Sequence, residues 1–358
     1  MSIASIIREK PEFEGQKDPN VQLVAASVGR SLDDKNRRIM ETMKRVKSAY
    51  LPTSNDQISD IPFTRMKRAI AGMDQETFAA SIFAESGVGK STHVLQRLKD
   101  DAAFEPVPDG YGNFLHPVLY IEAPQKASVT DLGETMLQAM GYPIAGRKSE
   151  NQIIKDVRRF LKRRGTRVVI IDEFQHVLDA PKIKGATHVA DAIKNLLQGD
   201  RSWPIFIVLV GLPEIKDIQL RDPKDQMLRR VDDFPLVDLT LKDDGKMIAE
   251  LILELVVNRA GLRMSEKVVV DFIERLMWGC HFRFGMVMKL IYHAIEDALE
   301  NDDKVLNSQH WEEGYRRLVN GGYDADENVM AAGVDWRKIY RPINRKGAFG
   351  PLSPMSTK

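Results

Sequence analysis

An apolar run, a glycine-containing loop and a helical pattern follow one another in SIFAESGVGKSTHVLQRL, which occupies residues 81–98. The pattern predicts a strand, a tight loop and a helix. In such a unit the loop amides lie at the N-terminus of the helix, where unpaired N–H groups favour anions. Gly87 and Gly89 permit the close backbone approach that a phosphate requires. The segment therefore predicts a phosphate-binding loop, or P-loop, in an α/β fold.

The positions of this loop have predicted roles toward ATP and Mg²⁺. Lys90 is expected to reach the β- and γ-phosphates, and the Ser91 hydroxyl to coordinate Mg²⁺. Thr92 is expected to contact the α-phosphate. The predicted nucleotide-binding residues are Glu85, Ser86, Gly87, Val88, Gly89, Lys90, Ser91 and Thr92. Ala84 stands where the pattern G-x-x-x-x-G-K-[ST] has glycine, and alanine is tolerated there if its φ is negative.

A second motif, RVVIIDEFQHVLD, predicts a buried strand that ends in two carboxylates. Asp172 is expected to hold the Mg²⁺ shell together with Ser91. Glu173 is expected to orient and polarise the attacking water as a general base, so the pair favours hydrolysis. An acidic strand end on its own usually indicates a solvated edge; here the preceding P-loop favours the functional interpretation.

Short β-branched runs alternate with helical patterns in the middle of the chain. The five predicted strands are AASIFAES, HPVLYIEA, RVVIIDEF, IFIVLVGL and FPLVDLTL. Near-continuous apolar strands that alternate with helices predict a buried parallel sheet covered on both faces. We therefore predict four zones: an N-terminal helical extension at 1–60, closed by the turn-rich LPTSNDQISDIP; an α/β P-loop core at 61–241; a helical lid at 242–319; and a flexible basic tail at 320–358.

The composition restricts the class of protein. The 358 residues are 43% hydrophobic and 29% charged, with a formal net charge of +1. This balance is typical of globular proteins. Because the net charge is close to zero, it does not by itself indicate binding to nucleic acid. The single cysteine, Cys280, excludes an internal disulfide and a thiolate zinc site. Because neither a signal peptide nor a membrane-spanning run is apparent, a cytoplasmic location is expected.

Several segments together resemble the TniB/TnsC branch of the AAA+ ATPases, which are transposition regulators. They are AESGVGKST, YIEAPQKASVTDLGETMLQAMGYP, VVIIDEFQHVLD, IFIVLVGLPEI and DQMLRRV. The resemblance spans about residues 75–240, and the predicted helical lid continues beyond it. It implies an AAA+ domain that hydrolyses ATP, forms a homo-oligomeric ring or filament on duplex DNA, and acts with a DDE transposase and target-selection proteins.

The resemblance also implies roles for individual residues. An arginine from a neighbouring subunit reaches the γ-phosphate in such assemblies, and the matching positions are Arg230, slightly preferred, and Arg229. Surface ion pairs are the alternative for these two arginines. The family usually has a polar residue at Leu212, so slow hydrolysis is expected unless Glu214 and its neighbours stand in. The lid arginine of the family is left unassigned between Arg283 and Lys289.

Two basic regions are candidates for contact with DNA. By resemblance we favour Lys126, Lys182 and Lys184, which follow predicted strands at the carboxyl ends of the sheet, although ordinary loop lysines are an equal alternative. The second region, KDVRRFLKRRGTR, is more often a solvated helix face. In the tail, Trp336, Tyr340 and Phe349 either bind a partner or DNA by stacking or belong to a solubilising terminus.

Two other functions stay open on the sequence. One is a helicase-loader-like AAA+ ATPase, which works on a protein ring. The other is a nucleotide-dependent scaffold or switch, for example in a defence system. The segment PQKASVTD contains no aromatic residue, which weighs against a motor that threads its substrate.

Overall fold

The computed structural model describes residues 7–9, 19–74, 77–142, 146, 148–178, 193, 195–197, 202–216, 231–265, 270–319 and 327–339. Its strands are β1 (Arg8–Glu9), β2 (Ala49–Tyr50), β3 (Ala79–Phe83), β4 (Val107–Pro108), β5 (Phe114–Leu115), β6 (Val118–Glu122), β7 (Val168–Asp172), β8 (Phe206–Gly211), β9 (Val231–Pro235), β10 (Arg263–Met264) and β11 (Val305–Leu306).

Its α-helices are α1 (Pro19–Ser31), α2 (Asp34–Lys47), α3 (Ser54–Ala71), α4 (Lys90–Asp100), α5 (Val129–Ala139), α6 (Glu150–Arg164), α7 (Gln175–Leu178), α8 (Leu241–Leu253), α9 (Val270–Gly279), α10 (Phe284–Glu300) and α11 (Ser308–Leu318). Short 3₁₀ turns occupy Ala102–Phe104 and Pro213–Lys216, and a π-helical stretch, Glu254–Arg259, continues α8. Within the described part of the chain, no helix is long and apolar enough to span a bilayer.

The chain divides into two units by its internal contacts. The first unit comprises Met1–Pro52, Ser86–Gly89 and Asp238–Lys358, and the second comprises Thr53–Glu85 and Lys90–Val237. The four predicted zones have different boundaries from these units and stay a prediction.

The second unit is built on a parallel five-stranded sheet in the order β6-β7-β8-β3-β9. Every residue of β3, β7 and β8 is buried. Strands covered on both faces require apolar side chains at successive positions, which explains the near-continuous apolar residues of β7 and β8 and the small and apolar residues of β3. The prediction of a five-stranded parallel sheet in an α/β fold is confirmed.

The last strand of the sheet differs from its predicted position. The apolar run FPLVDLTL predicts a strand at 234–241, whereas β9 is Val231–Pro235 and carries acidic residues. As an edge strand, β9 is paired on one side only, and Val231 is its single buried residue, so a continuous apolar run is not needed. Beyond it, the Asn55 side chain bonds both the N–H and the carbonyl of Val237, at 2.8 and 2.9 Å, and takes up these backbone groups.

A helix replaces the predicted turn in LPTSNDQISDIP. Residues Ser54–Ala71 form α3, which begins with a capping box between Thr53 and Asp56. The Asp56 carboxylate accepts the Thr53 N–H at 2.7 Å, so the Ser, Asn and Asp residues of this stretch start a helix. Pro62 lies inside α3, although proline in a helix interior removes one backbone hydrogen bond. Phe63 and Met66 are fully buried, which stabilises the helix by tertiary packing.

The first unit has a helical core in which α10 and α11 pack closely. A Cβ at Gly314 would lie 2.9 Å from the Ala294 backbone N, so this crossing requires glycine.

Part of the predicted flexible tail belongs to this core: Trp336 is only 5% exposed, and its ring centroid lies 5.9 Å from that of Trp278. Arg337 pairs with acidic residues of α9. Residues 327–339 are therefore packed, and 340–358 lie outside the described residues.

Candidate nucleotide site

In the second unit, Lys90 lies where α4 begins. Its side chain is buried, with 7% of the residue exposed, and its Nζ donates to the carbonyls of Ala84 and Glu85 at 2.9 and 3.2 Å. A buried ammonium requires such acceptors. Ala84 does not belong to the non-glycine residues with positive φ, so the condition for alanine at this position of the motif is met.

Residues Ser86–Gly89, which belong to the first unit, have the backbone of a phosphate-binding loop. Gly87 has a φ of 88° and Gly89 a φ of 107°, conformations that favour glycine. The Gly285 N–H donates to the Gly87 carbonyl at 2.7 Å, and Nη1 of the buried Arg283 donates to the Ser86 carbonyl at 3.2 Å. Arg283 and Lys289 are the two candidates for the lid residue of the family, and Arg283 contacts the backbone of this loop.

Asp172, at the end of β7, is buried and has a partner at each oxygen. Its Oδ1 accepts the Glu173 N–H at 2.8 Å, and its Oδ2 accepts the Tyr120 hydroxyl at 2.5 Å. The Ser91 side chain also interacts with the Tyr120 phenol, and this interaction lowers the pKa of the phenol. The structure therefore brings the two predicted Mg²⁺ ligands, Ser91 and Asp172, to one hydroxyl.

Tyr120 contacts a candidate site residue, Asp172, and the sequence alone does not predict this contact. Burial, together with the nearby Asp172 charge, raises the pKa of the Tyr120 phenol, which therefore stays protonated and acts as a hydrogen-bond donor. The available signal was a polar-tipped side chain within the apolar strand VLYIE, two residues before its end. Its partner Asp172 lies 52 residues further along the chain, so only the pairing of β6 with β7 reveals the contact.

Glu173 occupies a left-handed conformation with a φ of 51°. Such a conformation is uncommon for a residue with a side chain and is held by its surroundings. The Gln175 side-chain amide donates to the Glu173 carboxylate. The neighbouring His176 has Nδ1 3.3 Å from the Ala123 carbonyl oxygen, which is a contact with the β6 end of the sheet.

The residues present fit a nucleotide with Mg²⁺. Within the described ranges, no group of three or more His, Cys, Asp or Glu residues is arranged to hold a metal by itself. Mg²⁺ in nucleotide sites is typically bound by one or two protein oxygens plus the phosphates. A single buried carboxylate, Asp172, near the Ser91 hydroxyl meets that requirement.

Lys126 is exposed, has a φ of 53°, and donates its backbone N–H to the His176 carbonyl at 2.9 Å, so it lies beside α7. The remaining predicted residues, Arg229, Arg230, Lys182 and Lys184, lie outside the described residues.

The sheet order and the P-loop after β3 define the class: this is an AAA+ P-loop ATPase fold. The chain is similar to the Cdc6p structure from Pyrobaculum aerophilum, with 14% identity and a TM-score of 0.55 over 78% of this chain and 72% of that chain. It is also similar to the Aeropyrum pernix ORC2 protein in its ADPNP–ADP complexes, with 14% identity and a TM-score of 0.51 over 76% of this chain and 71% of that chain.

A comparison with protein families gives a more specific result than the fold. Residues 64–240 match the family described as "Bacterial TniB protein", so this segment of the chain is similar to that family. No curated protein sequence matches the chain significantly.

Proposed function

We propose that this chain binds ATP with Mg²⁺ at Glu85–Thr92 and hydrolyses it. The observation that carries the proposal is the buried Lys90 at the start of α4, preceded by two glycines with positive φ. This arrangement supports an amide nest with a lysine that reaches the β- and γ-phosphates. Ser91 and Asp172 would hold the Mg²⁺, which supplies charge neutralisation on the phosphates when bound.

In the proposed reaction, Glu173 orients the attacking water and accepts its proton as general base. Arg230, or Arg229, of a neighbouring subunit stabilises the charge that develops on the transferred phosphoryl group. Leu212 offers an apolar side chain at the end of β8, so we expect slow turnover that suits a regulatory ATPase.

The TniB match supports a more specific function. We propose that the protein is a cytoplasmic homo-oligomer that assembles as a ring or filament on duplex DNA when ATP is bound. It would regulate DNA transposition by selecting targets and by recruiting or activating a DDE transposase. Lys126, with Lys182 and Lys184, would contact DNA phosphates, since lysine contacts of this kind position a protein without reading sequence.

The test is the ATPase rate with and without duplex DNA, combined with electron microscopy of the same mixtures. The proposal predicts that DNA stimulates turnover and that rings or filaments form on DNA only with ATP. The matched control is Lys90→Met, which should abolish both effects. Turnover that is indifferent to DNA, with no assembly, would overturn the DNA-dependent function and favour a protein-directed loader or a switch.

A further inference from the structure

The side-chain amide of Gln175 connects the ends of two strands. Its Nε2 donates to the carboxylate of Glu173, which follows β7, and its Oε1 accepts the backbone N–H of Leu212, which follows β8. The Leu212 bond measures 3.1 Å. Chemistry fixes the orientation of this amide, because an ionised carboxylate only accepts and a backbone N–H only donates. Both ends of the amide therefore have a matched partner.

The backbone at the end of β8 leaves room for this amide. A Cβ added at Gly211 would lie 2.5 Å from the Gln175 Oε1 and 2.9 Å from Ile215 Cγ2. Any larger residue at Gly211 would displace the amide or its neighbours. Gln175 itself is 8% exposed, so its hydrogen bonds form where water competes weakly.

We propose that Gln175 is a positioning residue for ATP hydrolysis, which fixes the Glu173 carboxylate and ties it to the end of β8. This inference rests on the proposed function of Glu173 as general base. A glutamate side chain has several rotatable bonds, and a misplacement of about 1 Å in a reacting group is enough to cost about 100-fold in rate. Gln175, on α7, thereby links the Glu173 carboxylate to the backbone N–H of Leu212 at the end of β8.

The test uses Gln175→Met, which keeps the length and removes both hydrogen bonds. We expect kcat to fall about 10- to 100-fold, while the Kd for a fluorescent ATP analogue stays within about twofold of wild type. In the Glu173→Gln background the same substitution should lower kcat no further, because Gln175 acts through Glu173. Wild-type kcat in Gln175→Met, with intact nucleotide binding, would overturn the inference.

A second variant addresses the case in which Gln175→Met fails to fold. Gly211→Ala keeps glutamine at position 175, but the added methyl group displaces the side-chain amide of Gln175. This variant should therefore also lower kcat more than it lowers nucleotide affinity. His176→Gln, one residue further along α7, is the matched control and should retain wild-type kcat. If Glu173→Gln itself hydrolyses ATP at the wild-type rate, the proposed function fails; if only Gln175→Met is unaffected, the positioning role fails alone.

Discussion

The Tyr120 hydroxyl donates a hydrogen bond of 2.5 Å to Oδ2 of Asp172, from the strand next to the one that carries the carboxylate. Ser91 also interacts with this phenol, so Tyr120 is a shared neighbour of both side chains that are proposed to hold Mg²⁺. Partners of this kind fix the rotamers of metal ligands and contribute to metal affinity without touching the ion.

Tyr120→Phe should weaken Mg²⁺ binding and leave nucleotide binding without metal unchanged. The substitution keeps the ring and removes the hydroxyl, and loss of such a partner lowers metal affinity by about tenfold. Titration of a fluorescent ATP analogue in Mg²⁺ and in EDTA separates the two effects. Equal losses in both buffers would indicate a structural role for Tyr120 instead.

Lys126→Ala should weaken binding to duplex DNA irrespective of sequence. A single phosphate contact contributes about one unit to the slope of log K against log salt, so the slope should fall by about one. The measurement is DNA binding with ATP over a salt series. Lys155→Ala, an exposed lysine on α6, is the matched control. If only this control lowers the slope, the basic α6 face is the DNA contact.

Gly314→Ala should destabilise the first unit. The added methyl group would lie 2.9 Å from the Ala294 backbone N and 3.2 Å from its Cα, so α10 and α11 must separate. Overpacking of this kind costs about 1–3 kcal/mol of the free energy of unfolding. Gly29→Ala in α1 is the control, since a Cβ there meets nothing within 4 Å. It should stabilise by up to about 1 kcal/mol through helix propensity. Urea unfolding compares the two, and an equally stable Gly314→Ala would contradict the close crossing.

Acidification should destabilise the fold through His293. Burial lowers the pKa of His293 below its ordinary value of 6.5, although the Gly314 carbonyl and Glu296 oppose this and Arg317 and Lys47 support it. The fold therefore prefers the neutral ring, and this stability is present above pH 6.5 and lost as pH falls toward the lowered value.

His293→Gln should accordingly flatten the dependence of the melting temperature on pH below 6.5. A part of the slope should remain, because burial and Arg164 also lower the pKa of His116. Identical slopes in variant and wild type would exclude His293 as a source of the acid sensitivity.

The sequence was sufficient where a local pattern determines the structure. The apolar runs of β3, β7 and β8 are buried strands because they are covered on both faces, and the glycines of the P-loop have the required positive φ. The same local logic failed for α3, where burial of Phe63 and Met66 outweighs Pro62 in the helix. It failed for β9, whose position depends on pairing with β3.

Site residues that act through contacts distant in sequence were also missed. Gln175 meets Leu212, 37 residues away, and Tyr120 meets Asp172 from an adjacent strand. Neither contact has a periodic or motif signature, since both depend on strand order in the sheet. By contrast, Asp172 and Glu173 are predicted as candidates from the sequence because they follow an apolar run directly.

The most direct test of the central claim is ATP binding and steady-state hydrolysis by wild type and Glu173→Gln, measured on the same preparations. The account predicts that both proteins bind ATP with similar affinity and that Glu173→Gln releases phosphate far more slowly than the wild type, because the variant lacks the general base. Hydrolysis by Glu173→Gln at the wild-type rate, or absence of ATP binding by the wild type, would contradict it.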